Sequence, residues 1–194
     1  MVESGAKVNL QGVRVAMTLL SSSQVTEVRS DSAGKFVLPK PFPPGHYAIV
    51  SARSIPQGCF ISEVKFNDKA ISWDDFEISG SSQLEIILSN TAGKIAGSVL
   101  DADGKQVLDS SVTLIPTDAK SRPVRQSVAD DGNFQFINVR PGKYKLFAWE
   151  EVDDDLWPDP EIRKNYESLA TEIAVGPGET QNAQLRVIAA DTMK

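Results

Sequence analysis

Histidine and cysteine, the side chains that most often carry catalysis or bind metals, occur once each in this 194-residue chain, as His46 and Cys59. Histidine-dependent triads and most zinc sites need further partners or ligands that such a chain lacks. His46 lies in the turn Pro44-Gly45-His46-Tyr47, which predicts a surface side chain, whereas Cys59 precedes an apolar segment, which predicts a small buried group. We therefore expect no catalytic residue, no metal site and no cofactor.

Carboxylates are the abundant reactive groups, with 26 aspartates and glutamates in the chain. Glycosidases use two carboxylates that flank the bond to be cleaved. No spacing along this sequence singles out such a pair. A hydrolase with an unrecognised carboxylate pair is therefore only a remote alternative.

Tryptophan beside aspartate is the second pattern with a chemical meaning, because sugar rings stack on aromatic faces while carboxylates accept hydrogen bonds from sugar hydroxyls. Two loop-like segments have this composition. A carbohydrate-binding module is thus the alternative function, against the simpler interpretation that both tryptophans fill the edges of lobes or the contact between them. The candidate ligand-binding residues are Trp73, Asp74, Asp75, Asp155, Trp157 and Asp159.

An acidic run at 150–159 contains the second of these segments. Clustered carboxylates suit calcium, but the spacing in this run does not match an EF-hand loop. A solvated loop is the favoured interpretation, and a calcium site is the alternative.

A short helix is predicted near 159–170, directly after the acidic run. Asp159 fits the N-cap, and Pro160 fits the first helical position. Because about ten residues do not hold a helix in isolation, its apolar stripe must dock. We expect the helix or the neighbouring lobe to cover Phe147 and Trp149, which lie on the second face of the preceding strand. The predicted stripe consists of Ile162, Tyr166 and Leu169.

The net charge of −6 disfavours nucleic acid and anionic membrane surfaces as partners, since both need an excess of Lys and Arg on some face. No basic cluster occurs along the sequence. The longest apolar runs, 15–20 and 84–88, are too short to cross a bilayer, so we expect no membrane insertion by this chain.

Apolar and polar residues alternate in short runs separated by Gly, Pro and Asp, which is the pattern of half-buried strands. Three blocks of the first half recur in the same order in the second half. Gly-x-Phe at 34 recurs 98 residues later, Pro-Gly-x-Tyr at 44 recurs 97 later, and Gln-Leu-x-x-Ile at 83 recurs 101 later. The repeat predicts two related all-β lobes, 1–90 and 91–194.

These motifs resemble the signature of the carboxypeptidase regulatory-like domain family. Its pattern of G-x-V-x-D-x-x-G, V-x-L, D-x-x-G-x-F and P-P-G-x-Y is filled closely in lobe two by 97–104, 112–114, 131–134 and 141–144. Lobe one carries the later half, at 31–36 and 43–47, but lacks the opening strand. We therefore expect lobe one to have an open edge, or the chain to be a piece of a longer protein.

The resemblance implies two tandem Ig-like or prealbumin-like antiparallel β-sandwiches, the second with a short helical insertion near 159–170. It implies a non-catalytic accessory, structural or protein-interaction module of a larger bacterial surface or secreted protein. The expected location is extracellular, periplasmic or at the cell surface. The expected partners are other domains of that protein or a protein partner, with polysaccharide as the alternative.

Overall fold

The computed structural model describes residues 8–22, 24–37, 43–79, 83–118, 122–151 and 159–190. The chain divides into two compact units, Met1–Thr91 and Ala92–Lys194, and each is described by itself. The regular secondary structure of both is almost entirely β, in mainly antiparallel sheets, which confirms the predicted all-β fold class.

Seven strands occur in the described part of the first unit: β1 (Arg14–Leu19), β2 (Val25–Arg29), β3 (Gly45–Arg53), β4 (Phe60–Phe66), β5 (Lys69–Ala70), β6 (Phe76–Ile78) and β7 (Leu84–Ser89). They form one sheet in the order β2-β1-β3-β6 and another in the order β5-β4-β7. Alternation along β1 and β3 sends Met17, Tyr47 and Ile49 into a single core, where they are almost fully buried.

Seven further strands occur in the described part of the second unit: β8 (Gly93–Leu100), β9 (Ser111–Pro116), β10 (Val124–Ser127), β11 (Asn133–Val139), β12 (Gly142–Trp149), β13 (Thr171–Val175) and β14 (Thr180–Ile188). They form one hydrogen-bonded sheet in the order β10-β9-β12-β14-β8-β11, and β13 pairs with β12. Their buried side chains form one main core, which includes Ile95, Val99 and Leu185. Strand β14 departs from the antiparallel pattern, because it runs parallel to both β8 and β12.

The last strand of each unit pairs with a different neighbour. In the second unit, β14 pairs with the first strand of the unit, β8. In the first unit no strand occurs among the described residues 8–13, and β7 pairs instead with β4, antiparallel, from Ser89 opposite Phe60 to Leu84 opposite Phe66. The hydrogen-bonding neighbour of β7 is therefore β4, which lies between β3 and β6 in the sequence but belongs to the other sheet.

A helical insertion in the second unit lies at the predicted position. It consists of helix α1 (Pro160–Lys164) and a 3₁₀ turn (Glu167–Leu169). The α-helical part is shorter than predicted, because hydrogen bonds to the third residue back begin at Asn165 and tighten the chain. Leu169 is consequently 52% exposed and lies outside the predicted stripe. Neither helical segment in the described residues has the length or apolar composition to cross a membrane.

Tight turns with an aspartate at their first position occur in both units. The Oδ1 atom of Asp31 accepts hydrogen bonds from the backbone N–H groups of Ala33 and Lys35, at 2.8 and 2.9 Å. Asp101 binds the N–H groups two and four residues later in the same way. The glycines at the fourth positions, Gly34 and Gly104, have φ of +75° and +80°, which favours glycine.

A tyrosine closes the same corner in each unit. The Tyr47 hydroxyl donates to the carbonyl oxygen of Pro43 at 2.9 Å, and the Tyr144 hydroxyl donates to that of Arg140 at 2.6 Å. Both rings are buried, and each hydroxyl reaches back four residues to the turn before its strand. The Pro-Gly-x-Tyr motif thus fixes where the central strands β3 and β12 enter their sheets.

We expect Tyr47→Phe and Tyr144→Phe each to lower the free energy of unfolding by about 1 kcal/mol, the net value of one intramolecular hydrogen bond. Urea unfolding gives the loss. Hydrogen exchange then assigns it, since each variant should weaken amide protection mainly in its own unit. A wild-type urea midpoint for both variants would show that the corner hydrogen bonds contribute nothing.

Candidate functional site

The first candidate ligand-binding segment, Trp73-Asp74-Asp75, lies in the connection between β5 and β6. The backbone carbonyl of Trp73 accepts a hydrogen bond of 2.8 Å from the N–H of Ile49 and so continues the pairing along the edge of β3. The Trp73 ring is half-buried and packs against the core of the first unit, whereas both aspartates are exposed. The tryptophan therefore has a packing role, and ligand binding at this segment stays a prediction.

His46 and Asp75 meet on the surface beside this segment. The Nδ1 atom of His46 lies 2.6 Å from the Oδ1 atom of Asp75, and both side chains are about 60% exposed. The hydrogen bond to Asp75, then the charge of that carboxylate, raises the pKa of His46 above its ordinary value of 6.5, and the charge of Glu77 adds to this. In the described residues no hydroxyl or thiol is hydrogen-bonded to the other ring nitrogen, which is the contact that activates a nucleophile in such pairs.

Sequence reasoning missed this pair. His46 and Asp75 are 29 residues apart, and neither belongs to a motif that implies the other. The antiparallel register of β3 and β6, with His46 opposite Glu77, brings them together. The pairing of these strands was the missing information.

The second candidate segment is only partly described, since Asp155 and Trp157 lie outside the described residues. Asp159 is described, and its Oδ1 atom accepts a hydrogen bond of 2.8 Å from the backbone N–H of Glu161. Pro160 occupies the first turn, as predicted. Asp159 is therefore the N-cap of α1, and a role in ligand binding stays a prediction.

The helical insertion covers an aromatic face, which confirms the predicted docking. Phe147 and Trp149 point away from the main core and stack with ring centroids 5.6 Å apart. Tyr166 packs edge-on against Trp149 at 5.3 Å. The indole N–H of Trp149 donates to the Oγ1 atom of buried Thr113 at 3.0 Å, so its polar atom is satisfied. This aromatic cluster has the properties of a second small core.

An ion pair also joins the 3₁₀ turn of this insertion to strand β12. The Nζ atom of Lys145 donates a hydrogen bond to the Glu167 carboxylate. That hydrogen bond is the main reason that the pKa of Lys145 is raised. Lys145 lies on the same face of β12 as Phe147, so the contact holds the 3₁₀ turn over the aromatic cluster.

The described residues contain neither a cluster of metal ligands nor an activated thiol. No group of three His, Cys, Asp or Glu side chains there is arranged to hold a metal ion. Cys59 is buried, as predicted, and burial raises the pKa of its thiol. A buried thiol with a raised pKa is a poor nucleophile, because the thiolate is the reactive form.

An open groove of about 970 Å³ lies in the second unit, lined by residues 107–110, by the first residue of β9 and by residues at the end of β10. Its charged side chains are partly engaged in contacts within the protein. The Nε atom of Arg125 donates to Ser111 at 3.0 Å, and the Glu150 carboxylate accepts from the backbone N–H of Ala190 at 3.1 Å. The sequence did not indicate this groove, because segments that are far apart in the sequence form it.

No protein-family model matches this sequence, and no curated protein matches it either. Among solved structures, the Bacillus anthracis TIE protein is similar over 95% of this chain and 32% of its own, with 16% identity and a TM-score of 0.36. GBS52, the minor pilin of Streptococcus agalactiae, is similar over 91% of this chain and 82% of its own (12% identity, TM-score 0.35). The shaft pilin SpaA of Lactobacillus rhamnosus GG is similar over 91% of this chain and 84% of its own, with 11% identity and a TM-score of 0.33. The chain thus spans about a third of the first of these proteins, and likenesses this distant carry no argument about function.

We expect the single histidine resonance of the protein to titrate above 6.5, and Asp75→Asn to return it toward that value. Glu77→Gln should lower the pKa of His46 less than Asp75→Asn does, because the charge of Glu77 raises that pKa less than Asp75 does. Since the pKa is raised in the folded state, the stabilising contribution is complete below the unfolded pKa and is lost as pH rises through the folded one. NMR titration of His46 measures this. An unchanged titration in Asp75→Asn would disprove the pairing.

Asp159 variants separate capping from ligand binding. Asp159→Ala should destabilise the second unit by about 1 kcal/mol, the usual effect of losing an N-cap, whereas Asp159→Ser should retain most of the stability because serine also caps helices. Urea unfolding of both variants measures the difference. If Asp159→Ser is as unstable as Asp159→Ala, the carboxylate has a role other than capping.

Proposed function

We propose that this chain is a non-catalytic structural or protein-interaction module of a larger bacterial surface or secreted protein. The observation that carries the proposal is the use of its distinctive polar residues in folding. Asp31 and Asp101 close turns, Asp159 caps a helix, and Tyr47 and Tyr144 close corners. Residues with these roles stabilise the fold, which is what a structural module requires.

Membership of the carboxypeptidase regulatory-like domain family is the finer part of the proposal. Its support is the motif resemblance together with the geometry of the motif residues. The D-x-x-G segments form hydrogen-bonded turns, and the Pro-Gly-x-Tyr segments form corners. The recurrence of the corner in both units also supports origin by duplication of one β-sandwich.

The chemistry of the described residues gives little support to an enzyme. His46 and Asp75 form an exposed pair to which no nucleophile of the described residues is hydrogen-bonded, and the thiol of Cys59 is buried. A carbohydrate-binding role at Trp73 finds limited support, because the ring that would stack on a sugar packs against the core. Protein partners, or neighbouring domains of the same chain, are therefore the partners that we propose.

Protease treatment of intact cells that produce the full-length protein tests this proposal. Peptides from this chain should be released while the cells remain whole, or should be found in the culture medium. A cytoplasmic protein followed in the same samples controls for lysis. Recovery of these peptides only after the treated cells are broken would contradict a surface or secreted role.

A further inference from the structure

Three arginines lie side by side at one end of the four-stranded sheet of the first unit. Arg14 begins β1, and it is paired with Arg29, the last residue of β2, and with Arg53, the last residue of β3. We call these residues the arginine row. Because neighbouring strands are about 4.8 Å apart, the three backbone positions fall within about 10 Å.

The arginine row faces away from the core. The next position of β1 is Val15, which is paired with Val28 and Ala52. These three residues belong to the core of the first unit or pack against it. Since side chains alternate along a strand, the arginines point to the opposite face, and all three are exposed.

Among the described residues, few carboxylates lie close to these arginines. Glu27 approaches Arg14 at 3.9 Å, with both side chains about half exposed. In the described part of the chain no carboxylate lies within 4.0 Å of Arg29 or Arg53. The nearby carboxylate of Asp31 accepts two backbone hydrogen bonds from its own turn. A concentrated positive charge therefore lies on a protein whose net charge is −6.

One arginine of the row is held close to the backbone. The guanidinium of Arg29 lies beside Gly12, where a Cβ atom would be 3.1 Å from one of its terminal nitrogens. Gly12 has a φ of +87°, which favours glycine. The absence of a side chain at Gly12 thus leaves room for this guanidinium.

Like charges directly opposite each other on a sheet are destabilising. Planar guanidinium groups bind oxyanions through paired hydrogen bonds, and a bound anion would relieve the repulsion. We propose that the arginine row binds a polysaccharide that carries sulfate or phosphate ester groups. The row has no aromatic side chain, so recognition rests on the anionic groups of the polymer alone. A nucleic acid fits less well, because its bases need a stacking partner in addition to the contacts with its phosphates.

This proposal goes beyond the module role, which needs no ligand. No run of basic residues along the sequence marks this site. The three arginines are separated by 15 and 24 residues along the chain and meet only through strand register.

Calorimetry with a sulfated heparin octasaccharide at low salt tests the arginine row. We expect Arg29→Gln/Arg53→Gln to weaken binding about tenfold or more, because two of three charge-assisted contacts are lost. Lys143→Gln/Arg186→Gln removes the same charge from exposed positions of the second unit and should bind like wild type. Glu27→Gln should bind more tightly. The affinity of the wild type should fall steeply with salt, and less steeply after the arginine-row substitutions.

Three further measurements decide between the proposal and its alternatives. The thermal midpoint of Arg29→Gln/Arg53→Gln should equal or exceed that of wild type, since repulsion is removed, and a lower midpoint would make the row structural. Inorganic sulfate alone should bind more weakly than the octasaccharide, because it provides one anionic group. The proposal is overturned by undetectable octasaccharide binding, by equal loss in the control double variant, by equal affinity for free sulfate, or by equal affinity for a single-stranded oligonucleotide of matched charge.

Discussion

Strand β12 is constrained on both edges and on both faces, and the second unit is arranged around that constraint. One edge pairs with β9, and the other pairs with β13 and then with β14. Tyr144, Leu146 and Ala148 enter the main core, while Phe147 and Trp149 enter the aromatic cluster on the opposite face. A strand with two apolar faces cannot leave either one in water without losing the free energy of burial.

The helical insertion follows from this demand. Burying a large aromatic side chain stabilises a fold by roughly 1.5–3 kcal/mol, so a second apolar face repays the ordering of a short segment over it. The segment needs an N-cap and a contact with the sheet, which Asp159 and Lys145 provide. The buried indole of Trp149 needs an acceptor, which Thr113 provides. In the first unit the corresponding central strand, β3, instead donates a hydrogen bond from the Ile49 N–H to the carbonyl of Trp73, just before β6.

Features that a few adjacent residues determine could be predicted from the sequence. The cap at Asp159, the aspartate turns and the need to cover Phe147 and Trp149 are of this kind, because local hydrogen bonds and alternation decide them. The exposed position of Leu169 could not be predicted, because the change from α to 3₁₀ hydrogen bonding alters the spacing of the stripe.

Features that depend on strand register could not be predicted either. The contact between His46 and Asp75, the arginine row and the pairing of β4 with β7 each join segments whose relative alignment no single motif fixes. A shift of one residue would turn every side chain of a strand to the other face. For this reason a sequence without a basic cluster folds into a protein that has one.

Native-state hydrogen exchange along Gly142–Trp149 tests the central claim most directly. If β12 is held on both edges and both faces, its amides should be among the slowest to exchange in the second unit, and much slower than those of the edge strands β10 and β11. Exchange in β12 as fast as in those edge strands would contradict the claim that this strand organises the unit.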